Sequence, residues 1–458
     1  MRYNWCKPST AVRLTVLAVL AAALVLVTSA VGSRDNGQHH VRTSSAGGGR
    51  PSAGCTGNFL TPDDHVQAAI DRAPPGTTFC FRAGTYRVSS LVPKSGDVLD
   101  GDGQAAVLDG GNSAQFAIYG DSTPHGPSDV TIRGFVIQNF HTPLQAGAVQ
   151  DYNGSGWTIE NNHITASSAA GVATGDYARV LYNLIDHNGQ EGFSAHGNRG
   201  LYQGNRIAYN NYNLKISADW EAGGGKAYDT SNLTFKFNYV HDNGGPGLWA
   251  DTNNINTKFD GNTVSNNWGP GIYDEISFNA TIINNVVTGN GMPSAPGKGD
   301  RAGWGWDAGI QLRRSGGLLA ATPVIISGNI VADNYNAIAL IESPASGCST
   351  AAAGTSDRNI HNWHGLCNVQ NVLVENNWIT MTQGATGAYQ DGAGNTVFTK
   401  WNNVFRNNHY CVSSVNHPSD GYANGWFAWL NNWPDFSSWQ RIWLRAAGTF
   451  TVGGTCRP

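Results

Sequence analysis

The strongest pattern in the chain is a short alternation of apolar and polar positions that recurs over most of its length. An apolar strand position is followed by Asn, a variable residue, an apolar residue and, a few positions on, often a second Asn. The copies are TIENNHI at 158–164, VLYNLIDHN at 180–188, YQGNRIAYN at 202–210, FKFNYVHDN at 235–243, FDGNTVSNN at 259–267 and IINNVVTGN at 282–290. The series continues as ISGNIVADN at 326–334, VENNWITMT at 374–382 and KWNNVFRNN at 400–408. The first Asn of each copy falls at 162, 183, 205, 238, 262, 285, 329, 377 and 403, with tightest spacings of 21 to 26 residues. That period is too long for a hairpin and too short for a strand–helix–strand unit, and the glycines leave no room for a helix. It fits one coil of three short strands, each pairing with its counterpart in the next coil about 4.8 Å away. An Asn at one place per coil can then bond to its neighbours along the axis, so the column is read as structural.

A second strand precedes the next Asn and often begins with Gly. Its copies are GAVQD at 147–151, GVATG at 171–175, GFSAH at 192–196, NLKIS at 213–217, GLWAD at 247–251, GIYDE at 271–275, GIQLR at 309–313 and AIALI at 337–341. The second position is apolar and should point inward, which sends the third and fifth outward. The third positions are Val149, Ala173, Ser194, Lys215, Trp249, Tyr273, Gln311 and Ala339. The fifth are Asp151, Gly175, His196, Ser217, Asp251, Glu275, Arg313 and Ile341. NLKIS needs a gap to align, and a one-residue slip turns a side chain to the other face.

On these repeats the chain resembles the pectate-lyase-like right-handed parallel β-helix superfamily. PDDHVQAAIDRAPPGTTFCFRAGTYRV at 62–88 is similar to the capping helix and first strands of that group, and a cap protects the open edge of the first coil. The tryptophan-rich segment 425–450 resembles the tails that cover the last coil. The expected fold is therefore an all-β, single-stranded right-handed parallel β-helix over 55–415, with an N-terminal capping helix and a C-terminal cap over 416–458. This superfamily includes lyases, hydrolases, epimerases and non-catalytic adhesins, so the likeness bears on fold more than on function. The tandem-Asp motif of polygalacturonases is absent outside the cap (Asp63–Asp64), and SAHG at 194–197 is a lone echo of their His motif. The Asp-Pro-His-Asp motif of alginate epimerases is absent too. No family's catalytic set transfers residue by residue.

Composition narrows the setting. Only 13% of the 458 residues are charged, with a formal net charge of −4, which argues against a nucleic-acid partner. Arg2, Lys7 and Arg13 precede an apolar run from Leu14 to Ala30, so 1–30 reads as a signal peptide or an uncut signal anchor. Residues 31–54 read as a flexible linker. The protein is thus expected to be secreted or held at the cell surface, as a monomer, with membrane contact only through a retained N-terminal segment. Six of the seven cysteines lie beyond the signal and pair by proximity as Cys55–Cys80, Cys348–Cys367 and Cys411–Cys456, one of fifteen possible connectivities.

The outward positions of the second strand carry the candidate chemistry. His196, Lys215, Asp251, Glu275 and Arg313 should share one face, with Trp249 and Tyr273 as surfaces for sugar rings. Two inserted loops, 217–231 with Glu221 and Lys226, and 291–309 with Trp304 and Trp306, leave the helix beside that patch. Asp251 and Glu275 on adjacent coils either raise one carboxyl's pKa or recruit a cation. One reading is a lyase on a uronate-containing polysaccharide: Asp251 and Glu275, with Glu221, hold Ca²⁺, Lys215, Lys226 or His196 is the base, and Arg313 pairs the uronate. The second is a glycoside hydrolase using Asp251 and Glu275 as its carboxylate pair. The third is a glycan-binding or adhesin-like surface protein without catalysis.

Overall fold

The computed structural model describes residues 54–453 apart from 121–124, 292–304, 344–363, 392–393, 419–424, 431 and 443–447. The chain winds through three parallel sheets, here A, B and C, of thirteen, thirteen and eleven strands. Apart from the terminal coils, each coil contributes one strand to each sheet in that order, as in Thr158–Glu160, His163–Thr165 and Ala170–Asp176. Most strands of sheets A and B are three residues long, with the middle residue buried and its neighbours partly exposed. Alternation of side chains across a strand accounts for this. The buried positions stack in register from Ile132 through Ile159, Val180, Tyr202, Phe235, Phe259 and Ile282 to Ile326, forming one continuous apolar core.

The asparagine column forms a ladder at the A-to-B turn. Asn162, Asn183, Asn205, Asn238, Asn262, Asn285, Asn329 and Asn377 each donate from Nδ2 to the Oδ1 of the next member, at 2.9 to 3.1 Å, and the series ends on Asn408. The last member is Asn408 and not Asn403, which caps the preceding sheet A strand by accepting from Val372 N–H. The second Asn of the motif builds a parallel ladder at the B-to-C turn, from Asn188 through Asn210, Asn243, Asn267 and Asn290 to Asn334. In both turns the preceding residue has positive φ, as at Asn161 and His187, which is how two residues turn a corner between strands.

The N-terminal helix Val66–Arg72 buries Val66 and Ile70 against the first coil. The disulfide Cys55–Cys80 ties the incoming chain to the sheet A strand Thr78–Phe81. Cys367 and Cys411 are also disulfide-bonded, while Cys348 and Cys456, their expected partners, lie outside the described residues. At the other end the helix Phe436–Ile442 buries Trp439, which stacks on Phe427 with ring centroids 5.0 Å apart. Strand Thr449–Val452 adds a further coil to sheet B. No described helix is long and apolar enough to cross a membrane.

Two sheet C registers differ from the sequence reading. Asp151 pairs with Thr174, one place earlier than expected, so it points into the core and is fully buried. NLKIS is not a sheet C strand. That coil's strand is Gly223–Ser231, and Lys226, not Lys215, pairs with Trp249. The insertion is therefore 209–222, between the sheet B strand Arg206–Ala208 and Gly223. Three consecutive glycines at 223–225 masked the strand: at Gly225 φ is +159°, and an added Cβ would lie 2.3 Å from the Phe193 ring.

Candidate functional site

Sheet C differs from A and B in being buried on both faces over its central coils. The outward residues Trp249, Tyr273 and Gln311 retain only 3%, 7% and 1% exposure, because something lies over them. Residues Ala218 and Asp219 of the insertion, with Trp306, roof this stretch and leave a cleft lined by Trp249, Tyr273, Glu275, Gln311 and Arg313. The cleft holds about 40 Å³ of open space, room for a few waters but not for a sugar ring.

The register puts one outward column at Ser194, Lys226, Trp249, Tyr273 and Gln311. The second runs Tyr228, Asp251, Glu275, Arg313 and Ile341. Asp251 and Glu275 thus sit on adjacent strands, as expected from GLWAD and GIYDE, which align without gaps. Each carboxylate faces a cation. Lys226 Nζ lies 2.7 Å from Asp251 and 2.8 Å from Glu221, and the Arg313 guanidinium pairs with Glu275 while its Nε donates to Ser343 Oγ. Lys226 also lies 4.8 Å from the Trp249 ring centre, and Arg313 5.3 Å from that of Trp306. Among the described residues no three His, Cys, Asp or Glu side chains gather to hold a metal ion.

These surroundings set the protonation states. Burial, reinforced by the Asp251 charge, pushes Glu275 up to about 7 against the opposing pull of Arg313. Burial would lower Lys226, but Asp251 and Glu221 outweigh it and hold the amine above its ordinary range. Burial, then Glu275, raises Tyr273 well above the usual phenol, so it keeps its proton. Directly behind, Asp274 faces the interior, where burial pushes its carboxyl up to about 7.

Sequence reasoning missed Glu191. It is buried beside Glu221 and Lys226, and burial followed by the Glu221 charge raises its carboxyl well above the usual range. Its signal was the Glu preceding GFSAH, hidden because the strand was taken to start at Gly192. The remaining expected residues are dispersed. His196 lies upstream between Tyr152 and Tyr228, with ring centres 4.4 and 5.5 Å away. Lys215 is exposed on the far side of the insertion, and Trp304 lies outside the described residues. Trp249 and Tyr273 stack on each other at 5.3 Å instead of presenting open rings.

Comparison with known proteins agrees with this architecture. The family model described as "Right handed beta helix region" matches residues 147–317. The A-module of a mannuronan C-5 epimerase from Azotobacter vinelandii superposes with a TM-score of 0.54 at 18% identity, covering 85% of this chain and 94% of that one. The chain is a right-handed parallel β-helix. A PL6 family polysaccharide lyase from Pseudopedobacter saltans is also similar, with a TM-score of 0.45 and 14% identity over 88% of this chain and 94% of that one. A surface adhesin of Streptococcus pneumoniae gives 0.36 and 12% over 78% and 92%. At these identities the likeness is one of fold. No curated protein sequence matches the chain.

Proposed function

We propose that the protein is an extracellular enzyme acting on polysaccharide, and that its cleft cleaves a uronate-containing chain by β-elimination. Glu275 takes the proton beside the uronate carboxylate, and the electron pair left behind forms a double bond as the glycosidic oxygen departs. Tyr273 gives that oxygen its proton. Arg313, partly exposed at the cleft, neutralises the substrate carboxylate and so makes the proton acidic. Lys226 supports the charge balance but is not the base, because Asp251 and Glu221 keep it protonated. Neutralisation is routed through Arg313 and Lys226 because these cations engage the carboxylates that the sequence offered to Ca²⁺.

The observation that carries this reading is the meeting of two neighbouring outward columns, where the buried Glu275 carboxyl, pushed up to about 7, pairs with the Arg313 guanidinium of its own column beside the Tyr273 phenol of the next. The disulfide Cys55–Cys80 suits an oxidising, extracellular setting. The same fold supports mannuronan C-5 epimerisation in the Azotobacter module. A second reading rests on the raised Glu275 with Asp251 one coil away, a pairing that also serves a hydrolase as acid and partner carboxylate.

Incubation with a panel of uronate polymers separates the readings. The elimination reading expects a product absorbing in the ultraviolet from its new conjugated double bond. Reducing ends without that absorbance mean hydrolysis. Retention on the polymer with neither product means binding alone, and overturns both enzymatic readings.

A further inference from the structure

The insertion 209–222 has two sides. Ala218 and Asp219 roof the cleft, while Tyr212, Asn213, Lys215 and Ile216 face away from it and wall a second groove. That groove offers about 440 Å³, against about 40 Å³ in the cleft. Its floor is the B-to-C turn of the earlier coils, including Asn139, Ser168 and Gly189. The cleft begins at the same turn further along the axis, at Pro246 and Pro270. The two cavities therefore lie on one edge of the helix. The turns at 187–190 and 242–247 are two coils apart, roughly 10 Å at the parallel-strand spacing.

The groove's chemistry is that of a sugar acid. Its lining includes Lys215, His141 and His187, several side-chain amides and no Asp or Glu. Tyr212 stands 57% exposed beside His187, with ring centres 5.7 Å apart, and His187 stacks on Tyr209 at 5.2 Å. His187 and Tyr209 occupy the positive-φ corner of their coils, with φ of 51° and 54°. At that corner other coils place Asn139, Ala166, Asp242, Asn266, Gly289 and Asp333, all but Ala166 residue types that adopt this backbone at less cost. Two rings held there, and left exposed on the outside, gain nothing from the core.

We infer that this groove is a second, non-catalytic binding site for the same acidic polysaccharide, holding the chain as it runs along the edge toward the cleft. The inference rests on the proposed function for the identity of the polymer. Tyr212 and His187 offer ring faces to the apolar side of the sugars, the amides of Asn112 and Asn139 meet hydroxyls, and Lys215 with His141 meets carboxylates.

Affinity electrophoresis of the whole protein through gels containing polygalacturonate, alginate or neutral xylan tests this without requiring turnover. The wild type should be retarded by a uronate gel and much less by xylan. A His187→Ala/Tyr212→Ala variant should bind that polymer about tenfold more weakly, the effect of losing one strong contact. Its thermal midpoint, and its rate on a short oligomer of the same polymer, should stay at the wild-type value. Retardation unchanged by the substitutions, equal in xylan, or absent from every gel overturns the inference. A protein that is retarded through Tyr212 but forms no product instead overturns the enzymatic reading and leaves the groove standing.

Discussion

Replacing Asn262 by Ala removes one rung from the middle of the ladder that sets the coil-to-coil register. The Asn262 Oδ1 accepts from both the backbone N–H and Nδ2 of Asn238, and its Nδ2 donates to the Phe235 carbonyl and to Asn285 Oδ1. Truncation deletes four buried hydrogen bonds and leaves the Asn238 N–H with no partner. At about 1 kcal/mol per bond, with about 1–2 more for the orphaned donor, the loss is about 5 kcal/mol. With an unfolding entropy of roughly 0.8 kcal/mol/K for some 400 residues, the thermal midpoint should fall by about 6 °C. Circular dichroism reads the midpoint, and hydrogen exchange should show faster opening centred on the coils of Asn238 and Asn285. Asn284→Gly is the control, because Asn284 is exposed with φ of 57° and glycine accepts that backbone without strain. A midpoint within about 1 °C of wild type for Asn262→Ala would refute the claim that the ladder is structural.

The site gives further expectations. Because Glu275 is raised from 4.5 to about 7, the unfolded chain ionises first, so its burial costs nothing below pH 4.5 and about 3 kcal/mol above pH 7. Between pH 4 and pH 8 the midpoint of Glu275→Gln should therefore rise by about 4 °C relative to wild type; a constant difference would show an ordinary carboxylate. Glu221→Ala removes the 2.8 Å bond to Lys226 and the contact with Gln145 that tie down the insertion. Amides of 209–222 should then exchange about tenfold faster, and an unchanged rate would show that the insertion is held elsewhere. Replacing Cys55 and Cys80 by Ser opens a loop with a separation of 25 residues and should cost about 3–4 kcal/mol, read as a midpoint lower by about 4 °C.

The fold was legible because each coil repeats the same requirement: one buried residue per short strand and one amide per turn. Asp251, Glu275 and Arg313 were placed correctly because GLWAD, GIYDE and GIQLR keep the apolar residue one place after Gly. Lys226 was misplaced as a loop residue because its strand begins with three glycines and carries no apolar marker. Asp151 slipped because GAVQD allows either Ala148 or Val149 to face inward. Glu191 and the burial of Trp249 were not legible, since both depend on how the insertion folds over the sheet, which repeat spacing does not encode. The second groove was hidden for the same reason.

The central claim is that Glu275 exchanges a proton with substrate in the roofed cleft, and the pH dependence of kcat/KM on a uronate polymer tests it most directly. The rate should climb with pH through an apparent pKa near 7, as Glu275 becomes the ionised base. Glu275→Gln should lower it by roughly 10²–10⁴-fold. A rate that falls through that range points to Glu275 as a hydrolase's acid, and a Glu275→Gln enzyme with wild-type activity contradicts the account outright.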